Sequence, residues 1–274
     1  MPKKGIIKPR PHARIITMIG GQLIRNEKVA LMELLKNSYD ADASWVQIRL
    51  LNFINKDGSL TISKDSAIEI EDDGIGMDFD IIEKVWANPA SPYKYLLKKK
   101  GKEKTAKGRI IQGEKGIGRF AVFKLGTTVE IFTRAKNKNT EEIYLKSDLS
   151  IYDEELINRK NIKSKEPVFI DDIEYAYERG KAKKIKEQEI LIYNRKIQRP
   201  PYGTLIRITN LSGYWTLDKI KNIFQDSLKL MSPFNKKADF TCHITLNEDT
   251  LYSGFKKDAL ADILSMAPIF MNGQ

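Results

Sequence analysis

The chain has 274 residues, of which 41% are hydrophobic and 30% are charged, a composition typical of a globular protein with a substantial core. Its single cysteine, Cys242, excludes an internal disulfide and a zinc site built from several cysteines. The two histidines leave little for a histidine-based metal centre. No apolar run approaches the roughly 18 residues of a membrane span, and the N-terminus lacks the apolar segment of a signal peptide. We therefore predict a cytoplasmic protein without a membrane partner.

Lysine plus arginine number 47 against 36 for aspartate plus glutamate, a net charge of +11. The excess is concentrated in two stretches, 93–119 and 179–199. Such clusters attract polyanions such as DNA, with an affinity that depends on salt. The alternative is that both are solvated, mobile loops, which is what charge runs usually mark.

Hydrophobic periodicity predicts the first elements of the chain. A helix is expected over Ile24–Ala43, because its apolar positions form a broad stripe that neither proline nor glycine interrupts. Alternation predicts strands at Trp45–Phe53 and Ala67–Glu71, with a turn at Asn55–Gly58 between them. A short helix is expected at Asp80–Trp86.

The polar, basic and poorly periodic segment Asn88–Gly113 is predicted to be a long loop, and loops of this length usually form functional lids or are disordered. The remaining expected elements are a helix at Ile117–Leu125, paired strands at Thr128–Arg134 and Glu141–Lys146, a basic helix at Glu178–Glu189, a strand at Thr204–Asn210, an amphipathic helix at Leu217–Met231 and a strand at Phe240–Leu246.

The first motif, ELLKNSYDADA, begins at Glu33 on the first predicted helix. Glu33, Asn37, Asp40 and Ala41 are spaced i, i+4, i+7 and i+8, so they share one helical face. An amide oxygen suits magnesium, and a carboxylate one turn away could orient a water molecule. The alternative is a solvated polar face with chance spacing.

The second motif, IEDDGIGM over residues 70–77, follows a predicted strand. Its two glycines allow a sharp turn and a close approach of a ligand to the backbone. A carboxylate at this place could accept a hydrogen bond from an exocyclic amine. The alternative is a plain Asp-Gly turn.

The third motif, GEKGIGRFA over residues 113–121, leads into a predicted helix. Glycines at the start of a helix expose backbone amides to an anion, and the helix dipole favours its binding. The spacing G-x-x-G-x-G matches neither the Walker A nor the Rossmann pattern. A single glycine-rich loop is therefore a weak signal.

The fourth motif, Gly203-Thr204-Leu-Ile, stands at the head of a strand and gains its meaning from its place in the order. Together the four motifs resemble those of the GHKL ATPases, which share the Bergerat fold and include heat-shock chaperones, MutL, MORC proteins, gyrase-type topoisomerases and sensor histidine kinases. In order, they are similar to the family's N-box, adenine-binding loop, phosphate loop and last pocket strand. The resemblance spans roughly residues 15–248.

This resemblance implies an α+β fold, a two-layer α/β sandwich whose mixed, mostly antiparallel sheet is covered on one face by helices. It also implies that Asn37 ligates Mg²⁺ and that Glu33 is the catalytic residue that aligns the attacking water. Asp72 would accept a hydrogen bond from the adenine amino group, and Thr204 would support that contact. The next residue, Asp73, departs from the small polar residue common in the family.

The implied cofactors are ATP and Mg²⁺, and Lys115 is the candidate for contacting the γ-phosphate. The full set of ATP-binding residues implied by the resemblance is Asn37, Asp40, Ala41, Asp72, Gly76, Met77, Gly113, Lys115, Gly116, Ile117, Gly118, Arg119, Phe120 and Thr204.

The predicted domain organisation has an N-terminal arm at 1–14 and an ATP-binding domain at 15–250. Within the domain we expect a lid at about 79–112 and an insertion at about 147–201. Residues 251–274 are expected to begin a following region, so that the chain is a fragment. His12, in a proline-rich arm, does not suit a histidine kinase.

The function predicted from the resemblance is slow, magnesium-dependent ATP hydrolysis that drives lid closure and formation of a homodimer. A MutL-like or MORC-like link to DNA, through the basic lid and the 179–199 stretch, is favoured by the N-box. Two alternatives stay open: a chaperone-like ATPase that acts on protein clients, and a module that binds ATP without hydrolysing it.

Overall fold

The computed structural model describes residues 24–88, 103–113, 121–136, 141–148, 169–193, 195–230 and 239–254, with residues 5–6, 8–13, 15, 18, 96, 99, 101 and 150. The described helices are α1 (Glu27–Asp40), α2 (Phe79–Ile81, continued by a π-helical turn at Ile82–Trp86), α3 (Ala121–Leu125) and α4 (Leu217–Leu228). A 3₁₀ turn lies at Ile170–Asp172. The described strands are β1 (Trp45–Leu51), β2 (Ile54–Lys56), β3 (Ser59–Thr61), β4 (Ala67–Asp72), β5 (Gly126–Arg134), β6 (Glu141–Asp148), β7 (Ala176–Lys181), β8 (Gln188–Ile192), β9 (Arg195–Arg199), β10 (Gly203–Leu211), β11 (Trp215–Thr216), β12 (Thr241–Leu246) and β13 (Asp249–Ser253).

Eight of the described strands form one mixed sheet in the order β13–β12–β1–β4–β10–β5–β6–β7. β1 runs parallel to β12, and the other neighbours in this order are antiparallel. A small sheet, β11–β3–β2, and the hairpin β8–β9 account for the other described strands. The sheet predicted from the sequence, mixed and mostly antiparallel, is confirmed.

Alternation along the strands turns one face of the sheet toward the helices. Ile48 of β1 lies opposite Ile70 of β4, and both are buried in one hydrophobic core with Ile131 of β5. Leu31 and Leu35 of α1 belong to the same core. α1 contacts α3 and α4, which in turn contact β5 and β12. Helices therefore cover one face of the sheet, and the predicted two-layer sandwich is confirmed.

The opposite face of the sheet carries a ladder of ion pairs. Arg49 of β1 donates to Glu69 at 2.9 Å and to Glu71 at 2.6 Å, both on β4. Arg207 of β10 donates to the other oxygen of Glu69 at 2.5 Å and lies 3.9 Å from Glu130 of β5. Four neighbouring strands are thus tied together by charges on the face that the helices leave uncovered.

The hairpin β8–β9 packs on this charged face. Arg199 at the end of β9 is buried, donates to Glu71 at 2.5 Å, and also donates to the carbonyls of Lys184 and Lys186. Ile192, at the end of β8, is buried as well. Part of the basic 179–199 stretch therefore stabilises the fold instead of facing solvent.

The basic helix predicted over Glu178–Glu189 is wrong, because this segment contains β7 and the start of β8. β7 pairs along its length with β6. Between the two strands, the carboxylate of Glu142 on β6 accepts hydrogen bonds from the backbone amides of Lys183, Lys184 and Ile185. These tertiary contacts outweigh the helix propensity of a segment rich in lysine and glutamate.

The predicted loop Asn88–Gly113 is not irregular throughout. Residues 103–111 form a small hairpin, in which Lys104 bridges Ile110 and the amide of Ile111 donates to the carbonyl of Glu103 at 3.0 Å. Gly108, with φ of +79°, closes its turn. Short turns of this kind are hard to predict within a charged segment, because they contain little apolar periodicity.

The other predicted elements lie within a few residues of α1, α2, β1, β4, β5, β6, β10, α4 and β12. The predicted turn Asn55–Gly58 holds the tip of the β2–β3 hairpin, whose two short strands were not predicted. Residues 117–120 of the predicted helix Ile117–Leu125 lie outside the described residues, as does the segment 151–168 of the predicted insertion.

The described part of the N-terminal arm contacts the 3₁₀ turn of the same chain. Arg10 pairs with Asp171 at 3.0 Å and with Asp172 at 3.4 Å. Its guanidinium also lies 4.0 Å from the centre of the Phe169 ring. The carbonyl of Pro11 accepts a hydrogen bond from the backbone amide of the turn at 2.9 Å. The arm is thus held against the segment that follows the undescribed part of the insertion.

Candidate functional site

Helix α1 carries the residues of the first motif on its polar side. Asn26 caps the helix, its side chain accepting from the amide of Val29 at 3.0 Å. Glu33 is 28% exposed and pairs with Lys36 at 2.8 Å. Asn37 lies one turn later and is exposed. The helix thus presents a carboxylate and an amide on adjacent turns, as the spacing predicts.

Asp72, the last residue of β4, is a buried carboxylate with an altered pKa. Its Oδ2 accepts from the hydroxyl of Ser38 on α1 at 2.7 Å, and its Oδ1 accepts from the amide of Gly74 at 2.9 Å. Desolvation raises its pKa to about 7, although the hydrogen bonds from Ser38 and Gly74 act in the opposite direction. This carboxyl group therefore changes its charge near neutral pH.

Asp73 has a different role from Asp72. Its Oδ1 accepts from the amide of Ser44 at 2.6 Å and from the amide of Trp45 at 3.0 Å. These bonds fix the start of β1 beside the end of β4. The acid that departs from the family pattern is therefore engaged by backbone, and Asp72 is the carboxylate that lies beside α1.

The glycines of the second motif allow the backbone segments around Asp72 to approach closely. Gly76 has φ of +64°, and a Cβ there would lie 2.0 Å from the carbonyl oxygen of Arg134. A Cβ on Gly74 would lie 2.9 Å from the Cβ of Ala41. The amide of Ile75 donates to the carbonyl of Ala41 at 2.8 Å. The loop is thus held between the end of α1 and the end of β5.

Thr204 lies opposite both Asp72 of β4 and Thr133 of β5. The hydroxyl oxygens of Thr133 and Thr204 are 3.0 Å apart. Thr133 also accepts from the amide of Met77 at 2.9 Å. Thr133 is not among the predicted site residues. The signal that could have revealed it is a polar residue at an inward position of the predicted strand Thr128–Arg134.

Asp40 connects α1 to the start of the glycine-rich motif. Its two carboxylate oxygens accept from the amide of Gln112 at 2.8 Å and from the amide of Gly113 at 3.0 Å. Six further predicted site residues of this motif lie outside the described residues: Lys115, Gly116, Ile117, Gly118, Arg119 and Phe120.

The segment before Gly113 is anchored by a buried arginine. The side chain of Arg109 is 2% exposed and pairs with Asp239 at 3.1 Å. It donates to the carbonyl of Tyr39 at the end of α1 at 3.0 Å, and its guanidinium lies 4.7 Å from the centre of that ring. The amide of Lys107 donates to Asp42 at 3.1 Å. At least two of the basic residues of the predicted lid therefore hold it to the domain.

The described site residues form one chain of contacts. Ser38 touches Asp72, Ala41 touches the glycine loop, and Asp40 touches Gly113. Separately, a cavity of about 350 Å³ lies between the tips of the β8–β9 and β12–β13 hairpins, and none of its lining residues is a predicted site residue.

A protein family described as histidine kinase-, DNA gyrase B-, and HSP90-like ATPase matches residues 25–176. The match covers more than half of the 274 residues, so the chain belongs to this ATPase family. Its members bind ATP and use it to switch conformation. A comparison with curated proteins finds no match. No helix in the described ranges has the length and apolarity needed to span a membrane.

Proposed function

We propose that this protein binds Mg²⁺ and ATP between α1 and the ends of β4 and β10 and hydrolyses the ATP slowly. The observation that carries the proposal is the buried carboxylate of Asp72, which is bonded to the helix that bears Glu33 and Asn37. A carboxyl group that is desolvated and shifted in pKa beside a glycine loop is typical of a functional site.

At the base end of the site, the carboxylate of Asp72 accepts a hydrogen bond from the exocyclic amino group of adenine. Thr204, in register with Asp72 on the neighbouring strand, supports this contact. Gly76 and Met77 line the base, and Ala41 packs nearby. The close backbone approach at Gly76 leaves no room for a side chain between the loop and β5, so the loop is held in place at this end of the site.

At the phosphate end, Asn37 supplies an amide oxygen for Mg²⁺, which fits an ion held mostly by phosphate oxygens. When bound, the ion would neutralise charge on the phosphates. Glu33 accepts a proton from the attacking water or orients that water, and Lys36 holds the carboxylate in place. The glycines that follow Gly113 offer backbone amides to the phosphates, with Lys115 and Arg119 adding charge, while the amide of Gly113 itself donates to Asp40 and ties the start of this loop to α1.

The test is ATP turnover by the full chain and by Glu33→Gln, with ATP affinity measured in parallel. We expect turnover to fall at least about a hundredfold, a typical contribution of general base catalysis, and ATP affinity to change less than about threefold. Glu189→Gln, which alters an exposed glutamate of β8 that also pairs with a lysine, Lys196 at 2.9 Å, is the matched control. Equal turnover in Glu33→Gln and wild type would overturn the catalytic assignment.

We further propose that ATP drives lid closure and homodimer formation. The proposed domain comprises residues 15–250, extended to Ser253 by β13, with an arm at 1–14, a lid at 79–112 and an insertion at 147–201. Because the hairpin at 103–111 is anchored through Arg109, lid movement in this proposal is confined to residues before it. Sedimentation with and without a non-hydrolysable ATP analogue tests the dimer.

A MutL-like or MORC-like link to DNA is proposed on the net charge of +11. Several cations of the 179–199 stretch are paired within the chain, since Arg179 pairs with Glu141 and Arg199 is buried against Glu71. The basic lid is therefore the main candidate surface. Duplex DNA should stimulate turnover at low salt, and its binding should weaken steeply with salt. Turnover indifferent to DNA would favour a chaperone-like ATPase, and binding without turnover would favour a nucleotide-binding module.

A further inference from the structure

The cavity between the tips of the β8–β9 and β12–β13 hairpins lies outside the proposed ATP site. Its floor includes Gln47 of β1 and His243 of β12, which are neighbours in the sheet. The side-chain oxygen of Gln47 accepts a hydrogen bond from Arg49 of the ion-pair ladder at 3.0 Å, so the cavity is on the face that the helices leave uncovered. Its volume of about 350 Å³ is in the range of small-molecule sites.

Thr245 of β12 lines this cavity and carries a buried hydroxyl group. The residue is 5% exposed, and its hydroxyl oxygen has no hydrogen-bond partner among the residues that the structure describes. A buried polar group without a partner is unfavourable for folding. A ligand that bonds to this hydroxyl would remove that cost.

The cavity is negatively charged, although the chain has a net charge of +11. Glu248 and Asp249 contribute to its wall, whereas no lysine or arginine is among its described lining residues. No salt bridge joins either acid to a residue in the described ranges. His243 stays neutral at neutral pH, because desolvation and the nearby charge of Arg195 lower its pKa to about 4. The cavity therefore favours a cation.

Glu248 also occupies a position of its turn that favours glycine. Asn247 and Glu248 join β12 to β13 with φ of +48° and +78°. Asp57 and Gly58 form the same kind of turn between β2 and β3, with φ of +50° and +84°. Two-residue hairpin turns of this kind prefer glycine at the second position, because a Cβ there is strained. Local stability thus disfavours a glutamate at 248, whereas a role for its carboxylate in the cavity accounts for it.

We propose that this cavity binds a small organic cation, an alkylammonium or arylalkylammonium ion. Its ammonium group has three N–H donors, and Glu248 and the hydroxyl of Thr245 accept from them. Its carbon frame packs against Leu191 and Ile192 of β8, which line the cavity. This inference goes beyond the proposed ATP site and does not depend on it.

The experiment titrates the full chain with phenethylamine and pentylamine at pH 7, where both are protonated. The comparison ligands are 2-phenylethanol and pentan-1-ol, which have the same shapes without the charge, and ligand-detected nuclear magnetic resonance measures each affinity. We expect each amine to bind at least about tenfold more tightly than its alcohol, in line with charge-assisted hydrogen bonds. Equal affinities of amines and alcohols, or no binding of either amine, would overturn the proposal.

Glu248→Gly removes the carboxylate and relieves the strained turn. The preference for amines over alcohols should fall below about threefold, because the charged partner is lost, while the midpoint of thermal unfolding should not decrease. Asp57→Gly is the matched control, because it replaces an exposed acid by glycine in the β2–β3 turn, and the preference should be retained.

Thr245→Val tests the hydroxyl by itself. It should weaken amine binding about threefold, in line with the loss of one hydrogen bond, and raise the midpoint of unfolding, because a methyl group is buried in place of the hydroxyl. An amine preference that is unchanged in Glu248→Gly would overturn the assignment of this site. A protein that binds these amines but no ATP would overturn the proposed function and leave this inference standing.

Discussion

The two ends of the proposed ATP site are built differently. At the base end, Asp72, Thr133 and Thr204 are each at most 8% exposed and bond to neighbouring strands, loop and helix. At the phosphate end, Glu33 is 28% exposed, and Asn37 is exposed on the surface of α1. In the proposed site, base recognition would therefore rest on groups already held by the sheet, whereas the phosphate end would depend on loops held to the end of α1.

The largest expected effect comes from Asp72→Asn, which breaks the base end. The carboxamide replaces one acceptor oxygen with N–H donors and removes the negative charge. ATP affinity should therefore fall at least about a hundredfold, because the adenine amino group then meets a donor in a buried position. The free energy of unfolding of this variant should increase, although its ATP affinity falls. Burial raises the pKa of Asp72 from 3.8 to about 7, so ionising this group at pH 8 destabilises the folded state.

The amide variant should therefore be more stable than wild type by about 4 kcal/mol at pH 8, as expected for a carboxyl pKa raised from 3.8 to about 7. The gain should shrink as the pH falls below 7 and vanish below about pH 3, where both the folded and the unfolded states carry the proton. Calorimetry and thermal unfolding measure the two effects. Asp73→Asn is the control, and because it weakens bonds to Ser44 and Trp45, it should lower stability. A destabilised Asp72→Asn would contradict this account.

The second prediction concerns Arg109, which anchors the segment that leads to the phosphate end of the site. Arg109→Met removes a buried charge that pairs with Asp239 and bonds to Tyr39. The protein should lose about 2 kcal/mol of stability, since losing one partner leaves buried polar groups unsatisfied. ATP affinity should fall while adenosine affinity is retained, because only the segment leading to Gly113 is released.

Thermal unfolding and calorimetry with both ligands check the Arg109 prediction. Arg179→Met removes an exposed pair with Glu141 and should change stability by less than about 1 kcal/mol. If Arg109→Met weakened adenosine and ATP alike, the two ends would not be separable.

The smallest expected effect is a pH dependence of adenosine affinity, which tests the base end by itself. The base end prefers an ionised Asp72, whose pKa is raised by desolvation to about 7. Adenosine, which has no phosphate that titrates, should bind about tenfold more tightly at pH 8 than at pH 6, because the ionised fraction of Asp72 rises by that factor. Titration calorimetry across this range measures the change, and the same titration on Asp72→Asn should give a flat profile.

The parts of the fold set by local periodicity could be predicted from the sequence. α1, β4 and β10 have clear apolar patterns. The motifs placed Glu33 and Asn37 on the first of these elements and Asp72 directly after the second, at whose last position the structure has it. The edge of the sheet could not be predicted in this way. β7 is mostly exposed and rich in charge, so its partner β6, and not its own composition, decides its conformation.

The partners of individual polar side chains could not be predicted from the sequence either. Arg109 lies in a basic run, and only the folded chain shows that it is buried against Asp239. Thr133 stands in a strand with no motif around it, and its contacts come from residues 56 and 71 positions away. Long-range contacts of this kind depend on strand order, which periodicity does not encode.

Strand β4 has a consequence for how the chain reaches its native pairing. Ile68, Ile70 and Asp72 point to the helices, while Glu69 and Glu71 point to the ion-pair ladder. A one-residue slip would exchange the two sets, forcing two carboxylates into the core and separating Arg49 from its acids. The ladder thus penalises misregistered intermediates during folding. A change at Glu71 would therefore weaken the register that places Asp72 beside α1, although the side chain of Glu71 lies on the opposite face of the sheet.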